Sequence, residues 1–176
     1  MLITFKNYKN LLDYETDELL NLRNQDYIRN SSFDTKIIQK VEHLNWLKNL
    51  KNAEYFGVFL DGKIIGGTNY KISENIPIWG VFFDKDINPI VKVVCVYEFL
   101  NFVFLHFNKL YSYVKIDNEN SIKFTKNFGF YQIYKKQDMI TFTLTRNEWQ
   151  EYKTKKLLKF VDTLKTKTKL DGDIYG

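Results

Sequence analysis

The spacing of hydrophobic positions changes several times along the chain, and each change predicts an element. Apolar residues at positions 41, 44, 47 and 50 recur at helical spacing. Alternating or continuous apolar runs predict strands at 3–8, 55–60, 63–70 and 76–83. Asp61-Gly62 lies between two of these runs, and this dipeptide is typical of a tight hairpin turn. The first half therefore indicates an opening strand, helices and a three-stranded meander.

The second half begins with a long apolar helix from about 90 to 107. After it we predict a buried strand at 110–116, a short helix at 118–127 and closing strands at 131–134 and 139–144. A further helix is predicted near the N-terminus, from Thr16 to about Asn24. Strands and helices in this mixed order predict one α/β (α+β mixed) domain around a central sheet.

The C-terminal segment has a different composition. Residues 147–170 interleave Trp149, Leu157, Val161 and other apolar residues with lysines, which predicts a basic amphipathic helix. It could pack on its own domain, pair with another subunit in a homodimer, or touch an acidic membrane surface. We therefore divide the chain into a domain at 1–145 and a C-terminal helix and tail at 146–176.

Composition narrows the class of protein. Aromatic residues make up 17% of the chain, enough for a sizeable core. Residues 145–176 carry three of the five net positive charges, so a nucleic-acid groove across the body is not indicated. We find no signal sequence and no apolar run of about 18 residues, and expect no integral membrane span. Cys95, the single cysteine, excludes an intramolecular disulfide and favours a reducing cytoplasm; no metal site is predicted.

Three segments carry a family resemblance. The first segment consists of Arg23-Asn24, Ile28-Arg29, Ser31, Glu42-His43 and Trp46-Leu47. The second is Tyr55–Tyr70, and the third is Asn118–Phe130. Their order and spacing resemble the GCN5-related N-acetyltransferases (GNAT). The similarity covers about 1–145 and is strongest to bacterial sugar-modifying enzymes of the pseudaminic-acid pathway, which acetylate the 4-amino group of a UDP-linked dideoxy-amino sugar.

This resemblance implies a GNAT acyltransferase fold: a splayed, mostly antiparallel central sheet flanked by helices, here with an extra C-terminal helix. The strand at 79–83 should diverge from the strand at 111–116. The implied donor is acetyl coenzyme A, with its pantetheine along the strand at 79–83 and its pyrophosphate at the start of the long helix. The residues matching that site are Val81, Phe83, Ile90, Val91, Lys92 and Asn118.

Two positions depart from the family pattern. Asn88–Val93 contains no glycine, so its backbone should be a poor phosphate cradle, although Lys92 could supply a charge. Thr125 stands where the family has a tyrosine that protonates the leaving thiolate. Thr125 is thus a weaker catalytic candidate, and Tyr97, Tyr111, Tyr113 or Tyr131 could replace the missing phenol.

The resemblance also implies an acceptor site. Its candidates are Arg23, Asn24, Arg29, His43, Trp46 and Trp79. Arg23 and Arg29 could bind a nucleotide diphosphate or form surface salt bridges. His43 could be a catalytic base or sugar ligand, or could make a structural hydrogen bond. Trp79 could stack on a base or pack within the sheet.

Two classes of function follow. In the first, the chain is a cytoplasmic N-acyltransferase that acetylates a nucleotide-linked amino sugar in surface-glycan biosynthesis. In the second, it is a catalytically impaired protein of the same fold that binds a ligand or partner. A GNAT enzyme with an unusual donor, or one that acylates a protein N-terminus, remains a further alternative.

Overall fold

The computed structural model describes residues 1–157, 161 and 167–171. The helices are α1 (Asp13–Arg23), α2 (Asp26–Ser31), α3 (Lys40–Lys48), α4 (Pro89–His106), α5 (Glu119–Lys126) and α6 (Arg146–Tyr152). The strands are β1 (Leu2–Asn7), β2 (Ala53–Leu60), β3 (Lys63–Ser73), β4 (Ile76–Phe83), β5 (Lys109–Lys115), β6 (Tyr131–Lys136), β7 (Met139–Thr145) and β8 (Lys167–Asp171).

All eight strands form one sheet in the order β6-β7-β5-β4-β3-β2-β1-β8. Neighbouring strands are antiparallel except for β4 with β5 and β1 with β8. The parallel contact between β4 and β5 is short, because only Ile78 with Tyr111 and Trp79 with Ser112 are paired. Beyond Trp79 the two strands separate. The predicted splayed, mostly antiparallel sheet is therefore confirmed.

The predicted hairpin between β2 and β3 is also confirmed. Asp61 and Gly62 both have positive φ, at 47° and 86°, as a two-residue hairpin turn of the primed type requires. The Asp61 carboxylate also accepts a 2.8 Å hydrogen bond from the backbone N–H of Leu2. The turn therefore helps to set the position of β1 beside β2.

The long helix α4 lies in the core. Val94, Phe99, Leu100 and Val103 are each at most 1% exposed, and the Phe99 ring lies 5.9 Å from that of Phe56 on β2. With its 18 residues, α4 is long and apolar enough to cross a bilayer, which differs from our expectation that no such run exists. Half of it is buried inside the fold, as in the core helix of a globular protein.

The N-terminal helices differ in detail from the sequence prediction. Helix α1 begins at Asp13 and not at Thr16, because the Glu15 carboxylate accepts a 2.7 Å hydrogen bond from the Leu12 N–H. Thr16 is buried, and its hydroxyl donates to the Leu12 carbonyl. The short helix α2 was not predicted, since six residues are too few to show a helical period.

The C-terminal segment requires a correction. The predicted helix begins as expected with α6, and its last turn widens into a π-helix over Lys153–Leu157. Lys167–Asp171, however, forms β8 and pairs parallel with β1. The helix predicted through Leu170 is wrong there, because β1 offers a free edge and the β-branched Thr166 and Thr168 favour an extended chain. Val161 is helical and buried, and residues 158–160, 162–166 and 172–176 lie outside the described part of the chain.

Of the three alternatives for this segment, the described part of α6 packs on its own domain. Trp149 is fully buried, and its indole N–H donates a 3.0 Å hydrogen bond to the Asn101 side-chain oxygen on α4. The Lys153 ammonium donates to the same oxygen at 2.8 Å. The Tyr152 hydroxyl donates to the Asn127 carbonyl, which ties α6 to the end of α5.

Candidate functional site

A cavity of about 430 Å³ opens where β4 and β5 separate. Its walls come from both strands, from α2 and α5, and from the start of α4. The lining residues used below are Tyr27, Trp79, Val81, Phe83, Lys85, Lys92, Ser112, Tyr113, Asn118, Ser121 and Thr125. The cavity exists because the β4 backbone beyond Trp79 has no β5 partner, so the sheet is open along this line.

The closed end of the cavity is fixed by Trp79. Its indole N–H donates to the Thr68 hydroxyl at 3.2 Å, and that hydroxyl donates to the Gly80 carbonyl. The ring stacks on Phe130, with 5.3 Å between centroids. Trp79 is 4% exposed, which favours the packing alternative for this residue over stacking on a substrate base.

The start of α4 lies at the other end of the cavity. Pro89 has no N–H to offer, and the Asn88 side chain accepts a 2.9 Å hydrogen bond from the Ile90 N–H. Two backbone donors that a phosphate could use are thus removed or occupied. Ile90 is 41% exposed, whereas Val91 is buried in the core. The geometry agrees with the expectation of a poor backbone cradle for phosphate.

Lysine side chains stand at this end instead. Lys92 and Lys85 both line the cavity, and the Lys92 ammonium donates a 3.4 Å hydrogen bond to the Lys85 carbonyl. The Tyr27 hydroxyl of α2 accepts a 3.3 Å hydrogen bond from the Lys85 N–H. Burial raises the pKa of the Tyr27 phenol. Two ammonium groups can attract a polyanion without the orientation that backbone amides impose.

Helix α5 forms the wall that faces the open part of β5. The Asn118 side chain caps it by accepting a 3.0 Å hydrogen bond from the Ser121 N–H, and both residues line the cavity. Thr125, one turn further along, is 4% exposed and lines the same cavity. The structure therefore brings Thr125, Asn118, Lys92, Val81 and Phe83 together at one site.

A second group of predicted residues lies under the N-terminal helices. His43 and Trp46 of α3 have ring centroids 5.4 Å apart, and Trp46 lies edge-on to Tyr55 of β2 at 4.7 Å. Tyr8 lies within 6.4 Å of all three rings. A Cβ on Gly67 would come within 2.8 Å of the Tyr8 hydroxyl, so the absence of a side chain there leaves space for this phenol.

Two buried polar atoms at this aromatic cluster, Nη1 of Arg23 and Nε2 of His43, have no hydrogen-bond partner among the described residues. Burial lowers the pKa of both groups. Burial also raises the pKa of Tyr8, with a further increase from Tyr55 and an opposing decrease from Arg23. Orphaned buried donors and acceptors are costly, so this cluster is suited to receive a polar ligand.

Arg29 and Asn24 have structural partners. Arg29 forms an ion pair with Asp26 and donates to the carbonyls of Asn24 and Thr35. The Asn24 side chain makes two 2.9 Å hydrogen bonds with the backbone of Ile38. Both side chains therefore hold the connection between α1 and α3, which favours the salt-bridge alternative for Arg29.

A second cavity, of about 440 Å³, borders the aromatic cluster. Trp46 and Tyr55 form part of its wall, together with Asn45, Asn49, Lys51 and Lys71. The predicted residues thus fall into two places, one at the sheet opening and one beside α3. Sequence reasoning missed Tyr8, Tyr55 and Lys85, and aromatic or basic residue type alone could not distinguish them from the many others in the chain. No cluster of three potential metal ligands occurs within the described residues.

No protein-family model matches this sequence, and no curated protein does. Solved structures do. The Campylobacter jejuni N-acetyltransferase PseH in complex with acetyl coenzyme A is 23% identical in sequence, with a TM-score of 0.64. The match spans 81% of this chain and 98% of the PseH chain. The nucleotide-linked sugar GNAT FdhC is 20% identical, with coverages of 82% and 89% and a TM-score of 0.64.

A third structure, the Vibrio cholerae spermidine N-acetyltransferase with coenzyme A and spermine, is 15% identical. It covers 84% of this chain and 96% of its own, with a TM-score of 0.66. A nucleotide-linked sugar GNAT and a spermidine N-acetyltransferase thus share one architecture, and at such identities the architecture is what the similarity establishes. The chain has the fold of the GCN5-related N-acetyltransferases.

Proposed function

We propose that this protein is an N-acetyltransferase that transfers an acetyl group from acetyl coenzyme A to the amino group of a nucleotide-linked amino sugar. The observation that carries the proposal is the cavity at the divergence of β4 and β5, bounded by the last pair, Trp79 and Ser112. A pantetheine arm carries amide groups. Beyond Trp79, the edge of β4 that faces away from β3 has no β5 partner, and it can pair with these amides as a strand would.

The donor phosphates would meet Lys85 and Lys92 at the start of α4. Because Pro89 and Asn88 remove two backbone donors, most of the attraction must come from the ammonium groups. Such binding is weaker and more sensitive to salt than a backbone cradle. In this proposal, acetyl coenzyme A binds at the predicted residues Val81, Phe83, Ile90, Val91, Lys92 and Asn118. Val91 contributes only its backbone, because its side chain is buried.

Transfer requires the acceptor amine to attack the thioester carbonyl carbon. The C–N bond forms, the C–S bond breaks, the nitrogen loses a proton and the thiolate gains one. Holding the two reactants together at the sheet opening can supply much of the rate enhancement. Burial lowers the pKa of His43, which favours its neutral form. Neutral His43 could accept a proton or a hydrogen bond from the sugar substrate.

The acceptor side is proposed at the aromatic cluster and the cavity next to it. Arg23 and His43 each offer a buried polar atom that has no partner in the part of the chain that the structure describes. Trp46 and Tyr55 offer aromatic surface for a base or sugar ring. Lys51 and Lys71 bring positive charge to the same cavity, as a diphosphate needs. That the similar structures include an enzyme described as a nucleotide-linked sugar GNAT supports this substrate class.

The proposal is tested by incubating the full chain with acetyl coenzyme A and a UDP-linked 4-amino-dideoxy sugar, and measuring released thiol and acetylated product. Spermidine and a peptide with a free N-terminus serve as competing acceptors. We expect turnover with the nucleotide sugar and little with the other two. Turnover with only spermidine or only the peptide would contradict the nucleotide-sugar acceptor but would still support acetyl transfer.

The second candidate function is a ligand-binding protein without catalysis. It is favoured by Thr125, because a threonine hydroxyl is a poor proton donor to sulfur and stands where the family has a tyrosine. Thermal shift separates the two candidates. Stabilisation by acetyl coenzyme A and by the nucleotide sugar, with no product from any acceptor, would support the binding protein and exclude the enzyme.

A further inference from the structure

The proposed reaction leaves a thiolate that needs a proton, and Thr125 is badly suited to supply it. Its side chain is 4% exposed in the wall of the cavity. An aliphatic hydroxyl is far less acidic than a phenol, and a threonine side chain is much shorter than a tyrosine. A proton donor from another element would remove the difficulty.

Several tyrosines are candidates by residue type, and the structure separates them. Tyr97 is buried on α4, with its ring 5.7 Å from that of Trp149. Tyr131 is 45% exposed on the edge strand β6, outside the cavity wall. Tyr111 pairs with Ile78 where β4 and β5 are still joined, and the Lys109 ammonium lies 5.2 Å from its ring centre. None of these three faces the opening.

Tyr27 does line the cavity, but at the wrong end. Its hydroxyl accepts a hydrogen bond from the Lys85 N–H, beside Lys92 at the start of α4. That is the end where the donor phosphates would lie. A phenol held there would be separated from the thioester by the length of the pantetheine arm.

Tyr113 stands at the other end. Ser112 is the last β5 residue paired with β4, so Tyr113 is the first residue of β5 beyond the point of divergence. It lines the cavity together with Thr125 and is 37% exposed, whereas both of its neighbours on β5 are buried. It therefore presents a phenol at the apex of the opening, on the strand that faces Thr125.

We propose that Tyr113 is the general acid of this acyltransferase and replaces the phenol that Thr125 lacks. The inference rests on the proposed function. As the tetrahedral intermediate collapses and the C–S bond breaks, the Tyr113 hydroxyl donates its proton to the sulfur, which leaves as free thiol. The proton lost by the attacking amine restores the phenol through solvent at this exposed position.

The test compares Tyr113→Phe with Tyr111→Phe, a matched change two residues earlier on the same strand, before the divergence. Both variants are assayed for acetyl transfer from acetyl coenzyme A to the UDP-linked 4-amino-dideoxy sugar. We expect Tyr113→Phe to lower kcat about 100-fold with the KM for the donor nearly unchanged. Tyr111→Phe should stay within about twofold of the parent chain. Thermal denaturation of each variant checks that it is folded.

A rescue variant distinguishes a proton donor from a structural tyrosine. Adding Thr125→Tyr to Tyr113→Phe places a phenol on α5 and should restore a large part of kcat. Full activity of Tyr113→Phe would overturn the inference and leave the proposed function standing, as would an equal loss in both Phe variants. A parent chain that binds coenzyme A but acetylates no acceptor would overturn the proposed function, and the inference with it.

Discussion

Trp79 and Ser112 form the last pair between β4 and β5, and the sheet opens immediately beyond them. Trp79 is held there from two sides, by the hydrogen bond to Thr68 on β3 and by the stack on Phe130. These two contacts hold β4 beside β5 up to Trp79, where their pairing ends. The position at which the strands diverge is therefore fixed by packing against the core.

We expect Trp79→Ala to lower the free energy of unfolding by about 3–5 kcal/mol, because it removes a buried indole and leaves a cavity beside Phe130. Urea denaturation of the parent and variant chains measures the loss. Trp46→Ala is the matched control, since Trp46 is 38% exposed, and should cost clearly less. Equal losses in the two variants would show that Trp79 does not anchor the sheet.

Coenzyme A should bind weakly, with a dissociation constant above about 1 μM, because Asn88 and Pro89 leave few backbone donors for its phosphates. Lys92→Ala should weaken that binding about tenfold by removing a cavity-lining charge. Isothermal titration calorimetry at 50 mM and at 500 mM salt measures both effects. The difference between the chains should shrink at high salt, where the attraction is screened.

The control for Lys92 is Lys63→Ala, which removes an exposed lysine at the β2–β3 hairpin. It should leave coenzyme A affinity unchanged. Submicromolar binding by the parent chain, or an equal loss in the two variants, would contradict the role given to Lys92.

Stability should fall on acidification through His43. Burial lowers the pKa of this imidazole below its unfolded value of about 6.5, so the unfolded chain binds more protons between these two values. The stability that neutral His43 allows is therefore present above about pH 6.5 and is lost as pH falls towards the folded pKa. Melting temperatures measured from pH 7.5 to pH 5 should decline, and His43→Gln should flatten the decline. His106→Gln, at an exposed position, should not.

The contact between α4 and α6 gives a fourth prediction. Asn101→Ala should cost about 1–3 kcal/mol, because it leaves the indole N–H of the buried Trp149 without its acceptor. Chemical denaturation measures the loss. In the Asn101→Ala chain, Trp149→Phe should cost less than in the parent chain, since the polar atom is then no longer buried without a partner. Additive costs would mean that the hydrogen bond contributes little.

The order of strands and helices was decided mostly by local patterns that the sequence displays directly. The Asp61-Gly62 turn, the helical spacing around His43 and Trp46, and the apolar run of α4 act over a few residues, so they predict elements without knowledge of the fold. The spacing of the three GNAT-like segments then predicted where β4 and β5 diverge. The missing glycines before Val93 likewise predicted an α4 start with little backbone to offer a phosphate.

Other features depended on contacts between distant residues. The Lys-Thr alternation in Lys167–Asp171 is compatible with a strand, but only the free edge of β1 made it one. Arg29 bonds to Asp26 and to backbone carbonyls, while Arg23, six residues earlier, has a buried atom with no partner within residues 1–157, 161 and 167–171. Tyr113 and Tyr111 are equivalent by sequence. The divergence of β4 and β5 falls between Ser112 and Tyr113, and that tertiary event alone puts one phenol in the cavity wall and leaves the other in the closed sheet.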